Sequence, residues 1–416
     1  MRSINNTIRI GVLGNVDSGK TTLVGVLTKM DEGEYDDGRG LARSKIFVHQ
    51  HEKESGRTSA ITKESIKKDN NVIEFVDLAG HEKYFRTTVR GICNNCVDYV
   101  LLLVNGNMGN LTKMTHEHLY LVLSLRIPVI VLISKVDMAP ENIINETIDN
   151  IKQVLKCNKI FSYVIKDKED LEKEVFKNYM SGIDTYNLKL VPILKISNKT
   201  GYNLDLLTDF LFKLKRVFNF NENETNKKFI INNTYNLPGI GMVLSGICYS
   251  GTITKGDVFT MNIYNNIVKM QVKTLHDDFQ NNVDELYIGE SGCLAIKILD
   301  KYFSNNFKKK NIRNGSIIME IPEVRDSFKA KILVSNHSVT ITDKYQPVIN
   351  SMSINQTAIL QEIIKKENEE VNNNVLRCKE IAMVKFKFLH HPEFIDNGQY
   401  FIFRDGRIKG IGKVIE

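Results

Sequence analysis

Gly14-Asn15-Val16-Asp17-Ser18-Gly19-Lys20-Thr21-Thr22 stands between two apolar runs, Ile8-Arg9-Ile10-Gly11-Val12-Leu13 and Leu23-Val24-Gly25-Val26-Leu27. The first run reads as a buried strand, the second as the opening turns of a helix. Strand, glycine-rich turn and helix in that order are the setting of a phosphate-binding loop. Gly14 and Gly19 let the backbone curl without Cβ clashes, so the N–H groups of the residues between them point inward at an anion. The helix N-terminus adds its partial positive charge. Lys20 supplies a full charge for the outer phosphates, Thr21 offers a hydroxyl to Mg2+, and Thr22 closes the segment.

Outward from that turn, residues 8–216 alternate short apolar strands with helical stretches. Strands are predicted at 8–13, 72–77, 99–105, 128–134 and 191–196, and helices near 20–30, 83–91, 115–126, 141–156 and 203–216. This rhythm predicts an α/β domain, a mostly parallel sheet with helices on both faces. Residues 31–64 are polar with little periodicity, and a stretch that long inside a domain is usually functional or mobile. Residues 157–190 read as a peripheral insertion. At 217–227 the composition shifts to a linker rich in Asn and Glu, and the helical rhythm stops. Short strands between Gly, Asn and Asp turns follow, in one block to about 323 and a second from 326 to 416. They predict two β-barrels or sandwiches. The expected domains are 1–218, 228–323 and 326–416.

A phosphate loop does not choose its base, but further stretches do. Asp77-Leu78-Ala79-Gly80-His81 ends the run Val72-Ile73-Glu74-Phe75-Val76. Asp77 can hold Mg2+ through water, Gly80 lets its N–H approach a terminal phosphate, and His81 stands where an attacking water needs orienting. Ser134-Lys135-Val136-Asp137, with Met138 after it, follows the run Val129 to Ile133. Asp137 can accept hydrogen bonds from guanine N1–H and the 2-amino group, and Lys135 can lay its stem on the base. Ser197-Asn198-Lys199 can present backbone N–H groups to guanine O6. Gly56-Arg57-Thr58, in the polar stretch, offers a second hydroxyl to Mg2+.

These five elements in this order resemble the translational GTPases, similar to elongation factors Tu and 1A and above all to the GTP-binding protein 1 and 2 family. Further signatures carry the likeness: Asp36-Asp37-Gly38-Arg39-Gly40, Glu54 to Ser59, Pro238 to Gly246, Ala330 to Leu333, Ser353 to Ala358 and Phe403 to Arg407. The resemblance spans nearly the whole chain. It implies an α/β P-loop GTPase domain followed by two β-barrel domains, binding GTP or GDP and using Mg2+ held by Thr21, Thr58 and Asp77. His81 would orient the hydrolytic water, and Asp17 would help hold a monovalent cation. The barrels would carry tRNA or ribosome contacts. Two departures stand out. Ser134 replaces an Asn of many relatives, so fewer bonds to the phosphate loop and faster exchange are expected. Arg57 replaces an isoleucine, which removes one half of a hydrophobic gate with Val16.

Composition sets outer bounds. The chain has 416 residues, 42% hydrophobic and 25% charged, with net charge +7, which permits an RNA partner without demanding one. Six scattered cysteines argue for reduced thiols and a cytoplasmic setting. No apolar run approaches the ~18 residues of a membrane span. A monomer is expected. Cys93-Asn94-Asn95-Cys96 lacks the second ligand pair of a zinc site, and the His49/His51 and His116/His118 pairs face apart on a helix. Lys308-Lys309-Lys310 reads as a solvated turn. Two alternatives to a hydrolysing switch stay open: a non-catalytic adaptor stabilised by GTP that binds RNA or the mRNA-decay machinery, and a GTPase subunit activating sulfate adenylylation.

Overall fold

The computed structural model describes residues 6–31, 33–46, 61–182, 189–218, 220–263, 266–300, 312–334, 340–351, 354–366 and 375–416. The chain divides near residue 219 into two compact units. The first carries strands β1 (Asn6–Gly14), β2 (Thr62–Lys68), β3 (Asn71–Asp77), β4 (Tyr99–Asn105), β5 (Val129–Ser134), β6 (Phe161–Ile165) and β7 (Leu190–Lys195). They form one sheet in the order β2-β3-β1-β4-β5-β7-β6. Only β2 runs antiparallel to its neighbour.

The helices are α1 (Lys20–Lys29), α2 (Leu41–Ser44), α3 (Phe85–Asn94), α4 (Lys113–Ser124), α5 (Glu141–Cys157), α6 (Lys168–Leu171), α7 (Glu174–Met180) and α8 (Leu204–Lys213). Strand β4 shows why they cover both faces. Tyr99, Leu101 and Leu103 pack in one core with residues of α1, α7 and α8, while Val100, Leu102 and Val104 pack in another with α3, α4 and α5. A strand buried on both sides reads as a continuous apolar run, and β1, β4 and β5 were legible for that reason.

Two strands escape the apolar reading. β2 is an edge strand of half-buried and exposed residues, and β6 closes the other edge with Phe161 73% exposed. The 157–190 stretch is more than a peripheral insertion: its helices send Leu171, Phe176 and Tyr179 into the core. One charge also goes inside. Arg9, fully buried on β1, pairs with Glu74 on β3 at 3.3 Å, and Glu74 pairs in turn with Lys63.

The second unit is antiparallel throughout its registered pairs. Its first sheet runs β11 (Val258–Ile263), β16 (Ile317–Met319), β8 (Lys228–Leu237), β9 (Gly241–Ser250), β15 (Ser291–Ile298), β12 (Asn266–Asp277), β13 (Asn282–Val283). A β11–β12 pairing joins its ends. Its second sheet is a closed barrel of β17 (Ser327–Val334), β22 (Ile381–Phe388), β20 (Ile354–Lys366), β19 (Val348–Ser351), β23 (Tyr400–Asp405) and β24 (Arg407–Val414).

β19 and β20 pair as a hairpin. The last strand, β24, carries Gly410 and Gly412, which break its apolar pattern. Those glycines sit opposite Phe403 and Phe401, and a Cβ at either would collide with the facing ring. The barrel uses their missing side chains to seat two aromatics. Among the described residues no helix is long and apolar enough to cross a membrane.

Candidate functional site

β1, β3, β5 and β7 are parallel, so their carboxyl ends lie along one edge of the sheet. Ligands of open α/β sheets bind at that edge. The loops after these four strands carry the predicted site residues. The first turns at Gly14 (φ 148°), Asp17 (φ 60°) and Gly19 (φ 87°). A Cβ at Gly14 would meet the Leu103 carbonyl and Ser18 Oγ. Asp17 takes a left-handed conformation without being glycine, which concentrates strain in the loop. The Val16 N–H donates to Asn15 Oδ1 at 2.8 Å, and Ser18 Oγ donates to the Asn15 carbonyl at 2.9 Å.

Lys20, at the first position of α1, is 7% exposed, and its Nζ donates to the Asn15 carbonyl at 2.8 Å. Burial lowers its pKa from 10.5 to about 8, against the opposing pull of Asp77 and Asp17. Thr21 Oγ1 donates to Asp77 Oδ2 at 2.6 Å, and Asp77 is fully buried at the end of β3. A hydroxyl and a carboxylate oxygen side by side are hard donors that fit Mg2+, which keeps waters and takes further oxygens from phosphates. Gly80 lies against the loop: a Cβ there would collide with Lys20 Nζ and the Gly14 carbonyl. Thr22 is half-buried on α1. Gly56, Arg57 and Thr58 lie outside the described residues.

His81 is exposed and heads the short 3-10 turn 82–84, its Nδ1 accepting the Lys83 N–H at 3.1 Å. An Nδ1 that accepts leaves the neutral ring's proton on Nε2. A ring in that state can donate to a water, and has no ring nitrogen left to take the water's proton. Behind it, His118 on α4 is buried and stacks on Phe85 at 6.0 Å. Burial, then the Lys20 charge, lowers its pKa to about 3, so it is a neutral core ring.

The base-reading loops meet each other. Asp137 Oδ1 accepts from Ser197 Oγ at 2.6 Å, and Ser197 Oγ also accepts the Lys199 and Thr200 N–H groups. Lys135 holds φ 59° and is half-buried, Lys199 is exposed, and Met138 is 63% exposed. Ser134 is short, yet it reaches the phosphate loop: its Oγ donates to the Ser18 carbonyl at 2.8 Å. Asn198 adds a bond that the motif did not suggest, Nδ2 to the Gly19 carbonyl at 3.1 Å. Asp36-Asp37-Gly38-Arg39-Gly40, to which the motif reading gave no role, lies on the same loop, the Asp36 N–H donating to the Asn198 carbonyl at 2.9 Å. Spacing alone could not show it, since about 160 residues separate the partners.

None of the six cysteines forms a disulfide, Cys93 and Cys96 are buried, and burial pushes the Cys96 thiol up to about 12. Such a thiol is inert.

A phosphate-type loop, a hydroxyl–carboxylate pair and a carboxylate-bearing base loop on one sheet edge define a P-loop nucleotide-binding protein of the guanine-reading kind. The elongation factor Tu GTP binding domain family matches residues 5–216. The chain is 35% identical to GTP-binding protein 1 of Xenopus laevis, covering 98% of this chain and 63% of that protein. It is 32% identical to GTP-binding protein 2 of Mus musculus, covering 98% of this chain and 69% of that one. The chain belongs to the elongation factor Tu family of translational GTPases, in the group that holds GTP-binding proteins 1 and 2. Two solved structures share its fold. A bacterial selenocysteine-specific elongation factor has TM-score 0.72 at 19% identity, over 98% of this chain and 58% of that one. The elongation factor SelB of Methanococcus maripaludis, in complex with the GTP analogue GppNHp, has TM-score 0.69 at 22% identity, over 100% and 80%.

Proposed function

We propose that the chain is a GTPase switch with three domains, 1–218, 228–323 and 326–416, that binds GTP and hydrolyses it slowly. The observation that carries this reading is the buried Lys20 ammonium set against the Thr21–Asp77 pair, with Asp137 and Ser197 on the same sheet edge. Residues 14–22 and Gly80 cradle the phosphates. Ser134, Lys135, Asp137, Met138, Ser197, Asn198 and Lys199 surround the base. Thr21, Thr58 and Asp77 would hold Mg2+, which neutralises charge on the phosphates. Asp17 would help hold a monovalent cation.

The protein's own groups position the reactants, and most catalysis in such sites is positioning plus charge stabilisation. Lys20 holds a full positive charge in a dry setting. His81, with its proton on Nε2, orients the water in line with the terminal phosphate. Because His81 is exposed and bonded to its own turn, basal turnover is slow until a partner fixes the ring. The terminal phosphate orders Thr58 and the 77–91 region, and that ordering is the signal to the barrels. The partners fit translation-factor chemistry: tRNA or the ribosome, or a transcript under surveillance, met in the cytoplasm by a monomer.

GTP hydrolysis with and without ribosomes and charged tRNA tests the reading. Turnover that rises on their addition supports it. A chain that binds GTP yet hydrolyses none under any condition is an adaptor, and a chain that ignores guanine nucleotides is neither.

A further inference from the structure

The two base-reading loops are each tied to the phosphate loop by one side chain, on adjacent carbonyls. Ser134 Oγ donates to the Ser18 carbonyl at 2.8 Å, and Asn198 Nδ2 donates to the Gly19 carbonyl at 3.1 Å. The Gly19 carbonyl is also the acceptor of the first α1 bond, from the Leu23 N–H at 2.8 Å. Asn198 therefore grips the point where the loop becomes a helix. A serine alone cannot place a planar amide there; the amide comes from the other loop. Asn198 Oδ1 is buried with no partner among the described residues, which leaves an acceptor for a donor from ligand or water.

A third segment fastens this arrangement. The Asp36 N–H donates to the Asn198 carbonyl at 2.9 Å. The Asp36 carboxylate is buried and accepts the Gly38 N–H at 3.0 Å and the Ala42 N–H at 2.9 Å, so it shapes the turn and caps α2. Tyr35 covers Gly201 so closely that a Cβ there would enter its ring, and the Lys199 stem runs beside Gly38 at 3.5 Å from a Cβ built there. Residues 35–42 thus lie along the 198–201 loop, and α2 leads on to residues 47–60, where Thr58 stands.

We propose that Asn198 is a positioning residue that shares with Ser134 the task of clamping the base-reading loops to the phosphate loop, and that residues 35–42 latch this clamp and so set how long a guanine nucleotide stays bound. The proposal rests on the nucleotide-binding reading above. It changes the expectation drawn from Ser134: exchange is slowed by an amide at 198 in place of one at 134. It also gives Asp36-Asp37-Gly38-Arg39-Gly40 a role, since whatever lifts this segment from the 198–201 loop loosens the clamp and shortens residence.

The test is release of a fluorescent methylanthraniloyl GDP, chased with excess GDP, from the full chain and its variants. Asn198→Ala is expected to speed release about tenfold, the loss of one hydrogen bond. Ser134→Asn added to Asn198→Ala should bring the rate back to within about threefold of the parent, because the longer amide reaches the phosphate loop itself. Asp36→Ala should speed release about threefold, through the latch alone. Melting of the nucleotide-free chain should fall by no more than a few degrees in Asn198→Ala, the cost of one hydrogen bond, so that faster release is not the result of unfolding; a larger fall would make the residue structural and overturn the clamp. Should Asn198→Ala fail to fold, Asn198→Ser makes the same comparison.

Unchanged release in Asn198→Ala, or faster release that Ser134→Asn does not restore, overturns the clamp while nucleotide binding stands. A parent chain that does not bind the fluorescent GDP overturns the nucleotide reading itself, and the clamp with it.

Discussion

Two of the buried lysines, Lys20 in the first unit and Lys228 in the second, are partnered in opposite ways. Lys228, 1% exposed on β8, lies 2.7 Å from Glu323 and 3.4 Å from Glu224, with its ammonium 4.7 Å over the Phe394 ring. Lys20, 7% exposed on α1, donates to one backbone carbonyl and touches no carboxylate of the described residues. The first charge is answered by the fold. The second is held out of water at the fold's expense, which is why its pKa drops to about 8. A buried charge that no carboxylate of the described residues contacts has room for one from outside, and its neighbours decide which. Here they are a tight glycine turn, a hydroxyl and a carboxylate, the surroundings of a triphosphate.

The contrast breaks most sharply at Asp137. If its carboxylate reads guanine, Asp137→Asn should lower GTP affinity by about 10⁴-fold and raise that for xanthosine triphosphate, because the amide offers a donor where the carboxylate accepted. Competition binding with both nucleotides measures this. A variant that still binds GTP tightly removes Asp137 from the site.

Lys20→Met comes next. Loss of a charge-assisted bond in a dry site should weaken GTP binding by about 10²-fold. The nucleotide-free protein should behave in the opposite sense. The folded pKa lies below the ordinary 10.5, so the penalty for burying the charge is present in full below about pH 8 and is relieved as pH rises from 8 toward 10.5. That relief amounts to about 3 kcal/mol, and Lys20→Met should lack it. Urea unfolding of both chains at pH 7 and pH 10 isolates the difference. For the parent, GTP affinity should fall as pH climbs above 8, since the neutral amine must then take up a proton to meet phosphate.

How much of this was legible follows the same division. Residues 14–22 announced themselves because their chemistry depends on residue types at fixed spacing, and spacing survives in a sequence. Asp77, Ser134 to Asp137 and Ser197 were found because each ends an apolar run, a signal that buried parallel strands write plainly. What stayed hidden depends on partners far along the chain. Arg9 stands inside a run read as apolar, and its pairing with Glu74, far along the chain, is what lets it lie fully buried there. Asn198 was read only for its backbone N–H, and its side-chain bond to the Gly19 carbonyl does not show in the sequence. β2 and β24 carry polar or glycine patterns set by an edge and by two facing phenylalanines, which no local window contains.

His81→Ala sharpens the comparison on the catalytic side. His81 is exposed and bonded to its own turn, so removing it should leave GTP affinity within about twofold and cut partner-stimulated hydrolysis by about 10²-fold. Single-turnover hydrolysis beside an equilibrium titration separates the two effects. Equal stimulated rates in parent and variant would assign water positioning elsewhere.

The smallest effect is expected at Lys228→Met. Methionine is one atom shorter and gives up the ammonium over the Phe394 ring, but its flexible thioether fills most of the same volume and packs well against an aromatic, so packing changes little. The carboxylates left behind are not stranded, because the Glu323 side chain is 45% exposed and that of Glu224 27%. Replacing a buried ion pair by apolar volume is often neutral, so unfolding free energy at pH 7 should change by no more than about 1 kcal/mol. GTP affinity should not change. A pH scan tells the partnered charge from a passive one. Burial raises the Glu323 carboxyl, but the bonds from Lys228 and Asn226 outweigh it and hold the group below its ordinary 4.5. Its contribution is therefore present above that value and lost as pH falls through the lowered one. The parent should lose this increment in acid and Lys228→Met should not. If Lys228→Met instead weakened GTP binding as Lys20→Met does, the two lysines would serve one site, and the division between an answered charge and a waiting one would fall.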